Sequence, residues 1–193
     1  MNKSFLAFIL TIGLFVTGCN NDQVKDIKLD RQTIEQALLD SGIGTDNILI
    51  TEEIRGENAF SIYEKDDGFG IIQFVNTIKG WQYRGASGFE QLASGNPKPV
   101  TFGASTWLLG ENSSNGKNTY NTVFIGEIHD PEITKISLEV NHGKYSAKIL
   151  PSHNRKLWYY LSGAENAESL ITKISGYSSE GKLRYENYLN LPE

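Results

Sequence analysis

Between Lys135 and Ile149 the chain alternates polar and apolar residues so regularly that only one kind of local structure fits. Ile136, Leu138 and Val140 fall on one side of an extended backbone, and Lys135, Ser137 and Glu139 on the other. After a turn at His142-Gly143, Tyr145, Ala147 and Ile149 alternate in the same way with Ser146 and Lys148. A period of two marks strands with one wet face, because successive side chains leave a pleated backbone in opposite directions. Residues 157–161 are apolar at every position and read as a central strand. Residues 170–177, a Ser-Glu-Gly-Lys turn and residues 183–188 continue the series.

The preceding third of the chain reads similarly. Residues 48–50 and 59–63 are short β-rich pieces around a turn at 55–58, and Asp66-Asp67-Gly68 is a hairpin turn before a strand over 70–78. Lys79-Gly80 turns the chain into a strand over 81–84. Residues 86–99, rich in Gly, Ser, Asn and Pro, read as the longest irregular stretch. Strands over 100–109 and 120–128 flank a polar loop containing Asn115-Gly116, a favoured hairpin turn because both residues tolerate positive φ. One helix is expected. Asp30 stands as its N-cap, Ile34, Ala37, Leu38 and Ser41 share a face, and Gly42 ends it. The whole is therefore expected to be mainly β, one or more antiparallel β-sandwich-like domains behind a short helix. Residues 30–120 and 121–193 form two β-rich halves, sharing one core or holding one each.

The N-terminus has a different composition. Lys3 precedes an apolar run from Phe5 to Phe15, which ends at Val16-Thr17-Gly18-Cys19. This layout is that of a bacterial secretory signal, and the run is too short to span a bilayer as a helix. Its ending resembles the lipobox of bacterial lipoproteins: an aliphatic residue, a small residue, Gly or Ala, then Cys. The resemblance implies cleavage after residue 18 and a diacylglyceryl group on the sulfur of Cys19. A lipid of that kind holds a protein at a membrane without a spanning segment. Cys19 is the sole cysteine, so the exported part contains no internal disulfide and depends on its own core. Polar residues 20–29 read as a tether from Cys19. They reach roughly 35 Å when extended, which keeps the domain near the outer face of the cell membrane.

Residues 130–136 (Asp-Pro-Glu-Ile-Thr-Lys-Ile), Leu157-Trp158-Tyr159, Gly176-Tyr177 and Glu180-Gly181-Lys182 are similar to the C-terminal halves of small secreted or lipid-anchored proteins of Gram-positive bacteria. Those proteins carry no assigned activity. The resemblance implies a location and transfers no catalytic residue.

Chemistry is sparse. Loss of residues 1–18 removes only Lys3 among charged residues, moving the net charge from −5 to −6, which argues against a nucleic-acid partner. His129, His142 and His153 lack metal-ligand spacing, so no metal or other cofactor is expected. Ser105 in Gly103-Ala104-Ser105-Thr106-Trp107 lacks the closing glycine of a nucleophile elbow, and the Ser114/Lys117 and Ser179/Lys182 pairs fall in turns rather than at helix starts. The carboxylate pairs Glu52/Glu53, Asp66/Asp67 and Glu127/Asp130 provide no recognisable acid–base arrangement or calcium loop.

The aromatic residues remain. Trp81 and Tyr83 share one strand face, and Trp158 and Tyr160 another. Either they fill the core and its rim, or they form an exposed face for a protein or a sugar ring. The leading expectation is a membrane-anchored, non-catalytic protein that binds an envelope protein or component. The alternative is a lipoprotein that takes a glycan or small solute on an aromatic face, and a third is an envelope hydrolase.

Overall fold

The structure, a computed structural model, describes residues 31–66, 68–90, 98–112, 117–152, 155–164 and 169–189. Cys19, its lipobox, the tether, Asp30, Asp67, the Asn115-Gly116 turn and His153 lie outside the described residues.

The helix α1 spans Ile34–Asp40 and is capped by Thr33 rather than by Asp30. Thr33 Oγ1 accepts from the backbone of Gln36 at 3.3 Å, while the Gln36 side chain accepts from the Thr33 backbone at 2.8 Å. This reciprocal capping box satisfies two otherwise unpaired donors, which a single side chain three residues earlier would not do. Gly42, at φ +69°, turns the chain away from the helix end.

All strand pairs are antiparallel. The first sheet is a meander of β1 (Ile48–Ile54), β2 (Asn58–Lys65), β3 (Gly68–Thr77) and β4 (Gly80–Glu90). A middle sheet contains β5 (Gly103–Asn112), β6 (Lys117–Glu127), β9 (Lys148–Pro151) and β10 (Lys156–Ala164), in the order β5-β6-β10-β9. The third is built from β7 (Lys135–Val140), β8 (Gly143–Ser146), β11 (Ile171–Tyr177) and β12 (Leu183–Tyr188), in the order β12-β11-β7-β8. The chain is thus mainly β and sandwich-like, with three packed sheets rather than two.

Three apolar clusters hold these layers together. Ile34, Ala37, Leu38 and Ile43 pack on Ala59, Tyr63, Ile72 and Phe74, seating the helix on the first sheet. The opposite face of that sheet presents Phe60, Ile62, Phe69 and Ile71 to Trp107, Val123, Ile125, Leu157 and Tyr159 of the middle sheet. The far face of the middle sheet places Phe124 and Trp158 against Ile136, Leu138, Val140, Ile171 and Ile174 of the third. Alternation along β10 carries this arrangement, sending Leu157 and Tyr159 one way and Trp158 the other.

Two expectations need correction. Residues 86–90 are not irregular: they extend β4, with Gly70 opposite Gly88 and Ile71 opposite Ser87. The glycine pair makes room for the Tyr63 ring: a Cβ on Gly70 would lie 2.5 Å from its Cζ, and one on Gly88 would lie 3.4 Å from its hydroxyl. Residues 145–149 are not one strand. β8 pairs with β7 in the third sheet, and β9 pairs with β10 in the middle one. The chain changes sheets at Ala147, whose N–H still donates to Ile136 O. The alternation survives this corner, so it conceals it. The sequence allows residues 30–120 and 121–193 either to share a core or to hold one each; β6 crosses residue 120 and pairs with β5 on one side and β10 on the other. Residues from Arg31 onward form one unit.

Candidate interaction face

The four aromatic residues singled out in the sequence end in different places. Trp158 is fully buried, its Nε1 donating to Thr101 O at 3.1 Å, so it is core and offers no surface. Tyr160, its expected neighbour on a face, is partly buried and stacks on Tyr145 with centroids 5.0 Å apart. Burial pushes the Tyr160 hydroxyl up from its ordinary pKa, with a smaller contribution from Tyr145. Trp81 packs partly buried beside the helix cluster, and Tyr83 is half-exposed in β4. The structure therefore does not bring the four together.

The polar groups mostly join layers. Glu52 faces the middle sheet, where its Oε1 accepts from the Tyr159 hydroxyl at 2.6 Å and pairs with Lys148. Burial, then the bond to Glu52, pushes the Tyr159 hydroxyl up to about 12. Arg155 is buried and clamps the β2–β3 turn, donating to the carbonyls of Lys65 at 2.7 Å, Asp66 at 2.9 Å and Gly68 at 3.0 Å. Glu64 lies 3.4 Å from its Nη1 and Glu127 3.8 Å from its Nε. His129 Nδ1 sits 3.6 Å from Glu127. Ser105 Oγ bonds Ser87 and Gln73 of the first sheet, at 2.9 and 3.0 Å, and so tethers two layers. Asp130 accepts from the backbone of Glu132 and stands 3.7 Å from Arg184. A polar cleft of about 440 Å³, lined by Glu132, Thr134, Ser178, Glu180, Lys182 and Arg184, opens at this end of the third sheet, with Arg184 paired to Glu132 at its wall. Among the described residues no group of three or more His, Cys, Asp or Glu is placed to hold a metal.

A different surface emerges on the middle sheet. Along β5, Ser105 and Trp107 are buried against the first sheet, while Ala104, Thr106 and Leu108 alternate outward and are exposed. Phe102, just before β5, continues this row at 44% exposure, and Leu108 closes it at 37%. Among the described side chains of β5 none enters the core shared with the third sheet, and Ala104, Thr106 and Leu108 are exposed, so this part of its outer face is uncovered. That face adjoins Thr122, whose Oγ1 lies 2.9 Å from that of Thr106, and Phe124, the partner of Ala104. It is also without charge: residues 99–110, 118–126 and 157–163 contain no Asp, Glu, Lys, Arg or His. This charge-free stretch was the legible signal for Phe102, Ala104, Thr106 and Leu108, more than any aromatic residue.

Comparison with protein-family models, curated proteins and solved structures found no match.

Proposed function

We propose that this chain is a lipid-anchored, non-catalytic extracytoplasmic protein that binds an envelope protein through the uncovered outer face of β5. Val16-Thr17-Gly18-Cys19 supports the anchor, and an acidic net charge with no basic cluster argues for a protein rather than a nucleic-acid partner. One observation carries the binding reading: an edge strand of the middle sheet presents Phe102, Ala104, Thr106 and Leu108 to solvent without a charged residue among them. Flat, uncharged surfaces of this kind favour protein contact, because the partner buries apolar area with no ion to desolvate. A glycan reading loses Trp158 to the core and would rest on Tyr83 or on the Tyr145/Tyr160 pair.

The test is crosslinking of the anchored protein in its own cells, comparing the natural chain with Ala104→Lys. A charge at this exposed position disturbs no core contact. The expected result is one dominant envelope protein whose adduct is lost in the variant. An adduct of undiminished yield in Ala104→Lys would move the interface elsewhere. Absence of any enriched protein, with a fluorescence response to cell-wall fragments, would favour the glycan reading.

A further inference from the structure

The two most exposed large apolar side chains among the described residues are Ile78, at 81%, and Leu39, at 69%. They lie far apart in sequence, yet Gln32 links the backbone on either side of them. Its N–H donates to Lys79 O at 3.0 Å and its carbonyl accepts from Trp81 at 2.8 Å, beside Ile78. Its side-chain amide donates to Asp40 Oδ2 at 2.9 Å, beside Leu39. Both apolar tips therefore flank the point at which the chain enters the domain. Scattered exposed apolar residues are ordinary, but a pair at the root of a short tether is informative.

We propose that Ile78 and Leu39 form a tip that rests in the headgroup region of the bilayer to which Cys19 is anchored. The inference rests on the lipid-anchor reading. From Cys19 to Arg31 the backbone spans twelve residues, at most roughly 40 Å when fully extended. The surface around Arg31 is thus held within reach of the membrane at all times. Tethering makes the contact intramolecular, so a small apolar tip suffices where it would not in free solution. The charges near the tip fit an interface. Arg31, Lys79 and Arg55 are exposed, and none of them forms an ion pair among the described residues. Asn76 binds the Arg55-Gly56-Glu57 turn to the β3–β4 hairpin through Gly56 O and Glu57 O, which brings Arg55 to the same end. Glu35, one helical turn from Leu39, Asp40 and Glu57 are the neighbouring carboxylates. Long cationic side chains at the edge of an apolar tip can reach lipid phosphates while the tip sits below them. The acidic balance of the whole chain does not oppose a contact that is this local.

The sole cysteine makes the test clean. With the Cys19 sulfur consumed as a thioether, Ile78→Cys supplies the one free thiol for a nitroxide label in the full-length lipidated protein. Leu183→Cys, in an edge strand of the third sheet, is the control. Both proteins are reconstituted into phosphatidylcholine/phosphatidylglycerol vesicles, and collision with a water-soluble nickel chelate and with oxygen is read by power saturation. The expected result is a severalfold loss of nickel collisions at position 78, with oxygen collisions raised, and no change at position 183. Equal nickel access at both positions would overturn the tip contact. Mass spectrometry of the N-terminal peptide separates the two failures. An unmodified Cys19 overturns the anchor and the tip together, whereas a lipidated Cys19 with an unprotected position 78 overturns the tip alone.

Discussion

Trp158 decides between two uses of the aromatic residues, and its replacement has a calculable cost. The ring lies fully buried between the middle and third sheets, flanked in register by Gly126 on β6 and Ile149 on β9. Gly126 leaves space for it: a Cβ there would meet Trp158 Nε1 at 2.6 Å and collide with Thr101 O. Trp158→Ala removes about 200 Å² of buried side chain, which at ~25 cal/mol per Å² amounts to about 5 kcal/mol. It also strips Thr101 O of its indole donor, and measured Trp→Ala losses of about 3–5 kcal/mol bracket the same value. For a domain of this length the midpoint of thermal unfolding should fall by roughly 10 °C. Urea unfolding followed by circular dichroism should show the transition shifting with its slope unchanged, since the surface exposed on unfolding is nearly the same. A loss below about 1.5 kcal/mol would refute the core assignment, because a fully buried indole cannot be removed so cheaply.

Two further outcomes follow from the layer junctions. Tyr159 titrates near 10 when unfolded and near 12 when folded, so between those values only the unfolded chain ionises it. Its contribution is intact below pH 10 and is lost as pH rises toward 12; Tyr159→Phe should make the alkaline fall in stability shallower, and an unchanged pH profile would refute the burial of the hydroxyl that, ahead of its bond to Glu52, raises the pKa. Arg155→Ala leaves three turn carbonyls and the carboxylates of Glu64 and Glu127 without their cation, at a cost of about 3–5 kcal/mol by chemical denaturation, and a loss under 1 kcal/mol would show that the clamp is ornamental.

The strands were legible wherever one face is wet, and the layer arrangement was not. β7 alternates because Lys135 and Glu139 meet water while Ser137, though buried, donates to Tyr145 O, and β10 is apolar over residues 157–161 because sheets cover both of its faces. No residue pattern reveals which sheet a strand joins, and at Ala147 the same alternation crosses from one sheet to another. The β4 extension is hidden because Gly85-Ala86-Ser87-Gly88 carries turn-like composition inside a strand, where Gly88 lies beside the Tyr63 hydroxyl and opposite Gly70. The helix begins after Thr33, three residues beyond Asp30, because the Thr33/Gln36 pair satisfies two backbone donors where a lone carboxylate would satisfy one. For the site, large aromatic rings drew attention to Trp158, although size and apolarity suit a tryptophan for the core at least as well as for a surface.

The outer face of β5 differs from the rest of its sheet in what its composition means. Over residues 118–126 of β6 and 157–163 of β10 the absence of charge goes with a position between two other layers, and needs no further cause. β5 is an edge, covered on one face only, and an exposed edge is ordinarily blunted by lysine, proline or an inward charge. β5 carries one charged residue, Glu111, near its C-terminal end, and from a neighbouring layer Arg84 of β4 donates to Leu108 O at 3.1 Å. That bond occupies one backbone acceptor and leaves the outward row of Phe102, Ala104, Thr106 and Leu108 uncharged. The protection therefore acts on the backbone, where strand addition would occur, while the side-chain face remains open. This combination opposes indiscriminate pairing with other strands yet permits a partner that packs against the face, so the contact expected there is side chain on side chain rather than an added strand.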